Sequence, residues 1–179
     1  MNRINIQRHQ TEIGELVLGS FGGKLCLLSF GDKEARRAVD DRIRKKLDAT
    51  IVARNDEILE KTRNQLDEYL KGNRTEFGIP LLMLGTDFQR KVWRGLMRVP
   101  YGATFTYGQV ADDTGSPRAA RAVGNANAAN PISIIIPCHR IIGSGGHLVG
   151  YGGGLSLKKW LLRLEQGDSH AWVRRVRIP

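Results

Sequence analysis

Apolar and polar positions change period several times along this 179-residue chain, and each change marks an element. Residues 13–18 and 25–30 are short apolar runs separated by Gly22-Gly23, which predicts a hairpin of two strands. From 33 to 47 the chain is charged and helical in character. A second helix is predicted over 56–71, with Ile58, Leu59, Leu66, Tyr69 and Leu70 as its apolar positions and Gly72-Asn73 as its stop. A strand over 79–84 would complete a small α+β unit. Its charges read as solvated helix faces, and it offers no chemistry of its own.

The second half is punctuated differently. Thr86-Asp87-Phe88-Gln89 has the form of a capping box, with threonine as N-cap and glutamine three residues on. The helix behind it carries Phe88, Val92, Trp93, Leu96 and Met97 on one face and ends before Pro100. Thr106-Tyr107-Gly108-Gln109 is a second capping box, opening a short helix to 113. After the turn at Thr114-Gly115, Ser116 and Pro117 supply an N-cap and first-turn proline for a helix over 118–129. Two short helices joined by a glycine-bearing turn are the layout of a helix-turn-helix. The second helix is thin: alanines at 119, 120, 122, 126, 128 and 129, with Arg118 and Arg121 as its only charges. That composition suits close approach to a narrow nucleic-acid groove with an inserted arginine, and suits a close helix–helix contact equally well.

Charge separates the halves. Residues 1–84 hold 15 Lys+Arg against 13 Asp+Glu, whereas residues 85–179 hold 13 against 5, so most of the net +10 lies in the second half. Such asymmetry points to a polyanionic partner, nucleic acid being the usual one. No apolar stretch is long enough to span a bilayer, and the polar start is no signal peptide, so a cytosolic protein is expected. The two cysteines, Cys26 and Cys138, lie far apart, as suits a reducing compartment. Cys26 sits in an apolar strand-like run and belongs to a core. Two cysteines and four histidines without Cys-x-x-Cys spacing give no zinc signature.

One cysteine carries the candidate chemistry. In Ile134-Ile135-Ile136-Pro137-Cys138-His139-Arg140, the apolar run predicts a buried strand over 134–136 ended by a proline that has no N–H for the ladder. Cys138 then stands at a rigid exit beside a base. The segment fits a reactive thiol and a buried structural cysteine equally.

The order of motifs decides between them. Across residues 85–165, Phe88 with Val92-Trp93, Pro100-Tyr101-Gly102, Thr106-Tyr107, Arg121-Ala122-Val123-Gly124, Asn130-Pro131, Pro137-Cys138-His139-Arg140, Gly150-Tyr151 with Gly153-Gly154, and Lys158 through Leu161-Leu162 to Glu165 follow in turn. In this the chain resembles the O6-alkylguanine-DNA alkyltransferases. The resemblance implies an α/β (α+β) fold, with a ribonuclease-H-like α/β domain over 1–84 and a mainly helical DNA-binding, alkyl-acceptor domain over 85–179. It implies a protein without cofactor or metal that acts as a monomer on double-stranded DNA containing O6-alkylguanine, and on O4-methylthymine, away from membranes. Cys138 would take the alkyl group irreversibly, so that each molecule acts once. Glu165 would orient His139, which deprotonates Cys138 through a water. Asn130 would fix the active-site turn, and Tyr107 would hydrogen-bond the departing base.

DNA contact would fall to the helix-turn-helix in the minor groove, through Arg118, Ala120, Ala122 and Tyr107, with Arg121 filling the gap left by a flipped nucleotide. The glycine-rich segment 143–154 would wall the base pocket, with Tyr151, Gly152, Gly153, Val149 and Ser133 lining it. A zinc set in the first domain is not expected, since only Cys26 and His9 are available there. A fused regulatory domain is not expected either, and the basic tail 172–177 would lie beyond the matched region. Damage readers related to the family replace the cysteine that this chain keeps.

Overall fold

The computed structural model describes residues 2–31 and 33–167. The first half is a four-stranded sheet with two helices. Strands β1 (Asn2–Thr11), β2 (Gly14–Phe21) and β3 (Lys24–Phe30) form an antiparallel meander, and β4 (Ala49–Ala53) adds in parallel to β1, giving the order β3-β2-β1-β4. Helix α1 (Lys33–Leu47) is the crossover between β3 and β4, and α2 (Glu57–Leu70) follows. Asp56 caps α2, its side chain accepting from the Leu59 N–H at 3.0 Å.

The hairpin over 13–30 forms as its pattern predicts, turning at Gly22 and Gly23, both at positive φ. Strands β1 and β4 carry no such signal. Of β1 only Ile4 is fully buried, so its polar residues hide the period-two alternation. The strand expected over 79–84 is reduced to one bridge, Leu25 with Leu81. Two bonds hold it, Leu25 N–H to Pro80 O at 2.9 Å and Leu82 N–H to Leu25 O at 2.8 Å. Pro80 has no N–H to extend the ladder.

Alternation along β2 and β3, shifted by a bulge where Cys26 is the extra residue opposite Gly19 and Ser20, gives the sheet two apolar faces. Val17, Cys26 and Leu27 pack with Ile4, Ile43 and Leu84, on the face covered by α1. Leu16, Leu18, Leu25 and Leu28 face α2 and the second half, joining one continuous core with Leu66, Trp93, Val123, Ile136 and Leu161. Each such side chain contributes about 1.5–3 kcal/mol when fully buried. The two halves therefore share a core across their seam.

The second half holds α3 (Asp87–Leu96), β5 (Phe105–Thr106), α4 (Tyr107–Asp113), α5 (Ala120–Ala128), β6 (Ile141–Ile142) and α6 (Leu155–Glu165). Both capping boxes form, Thr86 with Gln89 and Thr106 with Gln109. The indole of Trp93 donates to Ala126 O at 2.8 Å, clasping α3 to α5. Ser116 does not cap α5. Residues 116–119 close a turn of their own, Ala119 N–H to Ser116 O at 2.8 Å, and α5 starts at Ala120 without a side-chain cap. Proline at the second position of that turn keeps Ser116 out of helical geometry. Arg118 consequently lies in the turn and Arg121 on the helix.

The strand expected over 134–136 is a coil of turns instead. Ile132 makes a single bridge with Leu28, after which Ile134 turns left-handed at φ 69° and Ile136 N–H returns to Ile132 O at 3.0 Å. A β-branched residue in that region costs about 1–3 kcal/mol, so the surroundings must enforce it. Burial of Ile134 and the bonds of Asn130 described below do so. Among the described residues no helix is long and apolar enough to cross a membrane.

Candidate active site

Cys138 opens a one-turn 3-10 helix, Cys138–Arg140, and is 5% exposed. The turn is held from both sides. Asn130 donates to Ile136 O at 2.9 Å and accepts from the Ile132 N–H at 3.0 Å, stapling the coil that leads into the cysteine. Behind the turn, the parallel pairing of β5 with β6 fixes its exit beside the start of α4. Burial pushes the Cys138 thiol up from its ordinary value. The Asn130 amide, the Lys158 charge and the N–H groups of Cys138 and His139 oppose that rise by favouring the thiolate.

His139 is fully buried, as is the side chain of Glu165 on α6. Glu165 Oε1 lies 2.7 Å from His139 Nε2. Its carboxylate also accepts from Arg140 Nε at 2.8 Å, Arg140 Nη2 at 3.0 Å and the Gly102 N–H at 3.1 Å. Burial alone would raise this carboxyl, but the bonds and charge of His139 and Arg140 outweigh it and hold it at about 2. An ionised carboxylate can only accept, so Nε2 carries the proton and Nδ1 keeps its lone pair. Burial lowers the imidazole from its ordinary value against the pull of Glu165, which leaves it neutral. Nδ1 is buried and makes no hydrogen bond with the described residues. The permanent ion pair is Arg140–Glu165, and His139 is a neutral base at its edge. Arg140 is further fixed by Val99 O at 2.7 Å.

The glycine-rich wall is anchored by a buried lysine. Lys158, fully buried on α6, donates to the carbonyls of Ile141, Val149 and Gly150, tying the cysteine turn's exit to the loop. Tyr151 stands between halves, its ring edge-on to Phe30 of β3 (5.6 Å between centroids) and to His139 (6.3 Å). Its hydroxyl is buried without a hydrogen bond among the described residues. Gly153 belongs to the same packing, since a Cβ there would meet Leu157 at 2.6 Å and Phe30 at 2.9 Å. Gly152 opposes nothing within 4 Å of a built Cβ; Val149 is 40% exposed, its carbonyl accepting from Lys158 and its methyls 3.8 Å from a Cβ built at Gly143. Ser133 is half-buried and bonds through its backbone, N–H to Leu28 O at 2.8 Å.

Tyr107 begins α4, half-buried. Burial, then the nearness of Cys138, raises its phenol, so it stays protonated as a donor. Tyr107 and Gly124 mark a close approach of α4 to α5, 3.7 Å from a built Cβ. Beside them runs a groove of about 480 Å³ lined by Thr106, Tyr107, Gly108, Ala120, Arg121, Gly124 and Ser144. Arg118, Arg121 and Ala122 are exposed, and Ala120 is half-buried. Thus Cys138, His139, Glu165, Asn130, Tyr107 and Tyr151 converge, while Gly152 stands apart from the packing.

Two contributors, Tyr69 and Phe30, escape sequence reading, and Lys158 is named there without a role. Tyr69 of α2, assigned there to an apolar stripe, donates to Glu165 Oε1 at 2.6 Å, so the first half is not without a part in the site. Phe30 walls Tyr151. Lys158 was detectable: it shares a helical stripe with Leu161, Leu162 and Glu165, which turns both charges inward. Among the described residues no group of three His, Cys, Asp or Glu could hold a metal ion. The tail 172–177 lies outside the described residues.

Residues 87–167 match the family model of the 6-O-methylguanine DNA methyltransferase DNA binding domain, and residues 8–83 that of its ribonuclease-like domain. The methylated-DNA–protein-cysteine methyltransferase of Mycobacterium leprae is 56% identical over 103 residues, which cover 58% of this chain and 62% of that protein. That of Methanosarcina acetivorans is 49% identical over 111 residues, covering 62% of this chain and 71% of its own. The match to the M. leprae relative therefore spans less than two thirds of its length. Among solved structures, Mycobacterium tuberculosis OGT in complex with DNA superposes with a TM-score of 0.76 at 40% identity, over 92% of both chains. The Pyrococcus kodakaraensis O6-methylguanine-DNA methyltransferase gives 0.67 at 25% identity, over 90% of this chain and 98% of its own.

Proposed function

The chain belongs to the 6-O-methylguanine DNA methyltransferase family, and from that premise we propose that it repairs DNA by transferring the alkyl group of O6-alkylguanine, and of O4-methylthymine, to Cys138. The observation that carries this reading is the buried contact of His139 Nε2 with Glu165 Oε1 at 2.7 Å, with Nδ1 left unbonded among the described residues. The accepting carboxylate fixes the proton on Nε2, and burial keeps the ring neutral, leaving a free Nδ1 lone pair next in sequence to the thiol. Nucleophile, base and orienting group are thereby supplied in order.

His139 takes the thiol proton, with a water between them, and the thiolate attacks the alkyl carbon. The carbon–sulfur bond forms as the bond to O6 breaks, its electron pair passing to the guanine. Tyr107 donates a hydrogen bond to the departing base, as a protonated phenol can. A thioether has no easy route back to the thiol, so each molecule acts once. Residues 1–84 serve as the supporting domain and 85–179 as the acceptor domain of a cytoplasmic monomer.

Cys138 is 5% exposed and O6 lies within a base pair, so the nucleotide is extruded into the site, at a cost of a few kcal/mol. Helices α4 and α5 enter the minor groove. Ala120 and Ala122 permit close approach, Arg118 meets the backbone, and Arg121 occupies the space the nucleotide leaves. The base lies against Tyr151 and the 149–154 wall, with Ser133 and Gly153 at its border. The open space at Gly152 leaves room for larger alkyl groups.

Incubation with an oligonucleotide containing O6-methylguanine, followed by intact and peptide mass spectrometry, tests the proposal. One methylene is gained on the Cys138 peptide, stoichiometrically, and none in Cys138→Ala. Turnover beyond one equivalent, or the absence of any adduct, overturns it.

A further inference from the structure

Tyr69 has no part in the mechanism above, yet its hydroxyl lies inside the charged cluster. It is fully buried near the C-terminal end of α2. Its ring is held by Phe77, 5.3 Å between centroids, and edge-on by Tyr101 at 6.2 Å. Phenylalanine would fill the same space, and a buried hydroxyl is costly unless it is bonded. The choice of tyrosine is therefore chemical.

The bond it makes is at Glu165 Oε1, 2.6 Å away, and the same hydroxyl lies 3.4 Å from His139 Nε2. Oε1 also receives His139 Nε2 at 2.7 Å and Arg140 Nη2 at 3.0 Å. Three donors, one from α2 and two from the cysteine turn, thus share one oxygen. Each donor that binds there reduces the charge available to the others. The Tyr69 phenol stays protonated, because burial and then the Glu165 charge raise it far above its ordinary value.

We propose that Tyr69 is a positioning residue for alkyl transfer: it fixes the Glu165 carboxylate and, by sharing Oε1, restrains the pull of Glu165 on His139. This inference rests on the reading of Cys138 as the alkyl acceptor and His139 as its base. It makes the first half part of the catalytic apparatus through one hydroxyl. The groups facing the imidazole are Glu165 and Lys158 from α6, Arg140 and Cys138 from its own turn, Tyr151 from the glycine-rich wall and Tyr69 from α2. Tyr101 faces Glu165 from the loop after α3. Among these, Tyr69 is the tyrosine whose hydroxyl bonds Glu165 Oε1, and phenylalanine removes that bond while the cations and the carboxylate remain.

In Tyr69→Phe, Glu165 Oε1 has one donor fewer and holds the imidazolium more strongly. The acid limb of single-turnover transfer to Cys138 then moves up by roughly half to one pH unit, with the alkaline plateau retained. The His139 ring, titrated by NMR, moves by the same amount. Phe77→Leu loosens the Tyr69 ring without removing its hydroxyl and leaves both midpoints in place. An unmoved His139 midpoint in Tyr69→Phe, or an equal shift in Phe77→Leu, overturns the inference. If the wild-type protein gives no adduct on Cys138, the functional reading fails, and the His139 titration still decides the role of Tyr69.

Discussion

The two halves differ in charge and in how they use their buried polar groups. The sheet half is nearly balanced in charge and buries apolar faces, with Asp56 bonded to Asn5 and Ser20 at the head of α2 as its main inward carboxylate. The helical half is strongly basic, yet buries His139, Arg140, Lys158 and Glu165 close to one thiol. Apolar burial is non-directional and tolerates adjustment, whereas a buried carboxylate with five donors holds only in one geometry. The first half is thus a framework and the second a pre-set electrostatic site. The seam qualifies that division, because Leu28, Phe30, Arg42 and Tyr69 all reach across it.

The sharpest way to break the contrast is to remove the centre of the charged cluster. In Glu165→Ala, Arg140 remains buried without its carboxylate, and breaking a buried pair in this way costs about 3–5 kcal/mol. Chemical denaturation should report that loss together with abolished transfer, whereas an apolar truncation of the sheet half such as Ile4→Val should cost only about 0.5–1.5 kcal/mol and leave transfer intact. Equal losses would mean that the cluster is no more demanding than the sheet core.

Acid probes the same cluster without mutation. Glu165 is depressed from 4.5 to about 2 in the folded chain, so its contribution is complete above the ordinary carboxylate range and is lost as pH falls towards 2. By linkage that contribution is roughly 3 kcal/mol. His139 acts in the same direction: its folded value is lowered, so the unfolded chain takes up the proton first as pH falls through the histidine range. Stability should therefore decline from near-neutral pH down to strong acid, and Glu165→Gln should flatten the lower part of the curve. A profile that stays flat below neutrality would contradict a neutral buried His139 beside an ionised Glu165.

The legibility of these regions in the sequence follows the same division. Elements with strong local signals were readable: the 13–30 hairpin, α2, and the two capping boxes before α3 and α4. Elements defined by tertiary context were not. β1 is polar on its outer face, and the 134–136 run looks like a strand because β-branched residues favour strands, while Asn130 and Ile134 coil it. In the site, Cys138, His139 and Glu165 were legible through motif order. Tyr69 was hidden because a tyrosine on an apolar helical stripe looks the same whether its hydroxyl meets solvent or a carboxylate. Phe30 is equally mute, since only the folded glycine-rich loop brings Tyr151 to it.

The smallest test concerns a contact made from the framework side. Arg42 of α1 donates to Ala129 O at 2.8 Å, the carbonyl at the C-terminal cap of α5. A cation there satisfies a carbonyl left open by the helix and complements its dipole. The residue after Ala129 is Asn130, the staple of the cysteine turn, and the helix before it carries Arg121. Arg42→Ala should cost about 1 kcal/mol in thermal or chemical unfolding, because the residue is only half-buried. Its larger consequence should be kinetic: transfer from duplex oligonucleotide slows several-fold, while transfer from free O6-methylguanine, which does not need α5 to hold DNA, changes little. Arg42→Lys should recover part of the duplex rate, since a lysine can reach the same carbonyl with a single bond. Equal slowing on duplex and free base would mean that Arg42 acts on the cysteine turn through Asn130 rather than on the helix. The sheet half would then be supporting the chemistry and not the DNA contact.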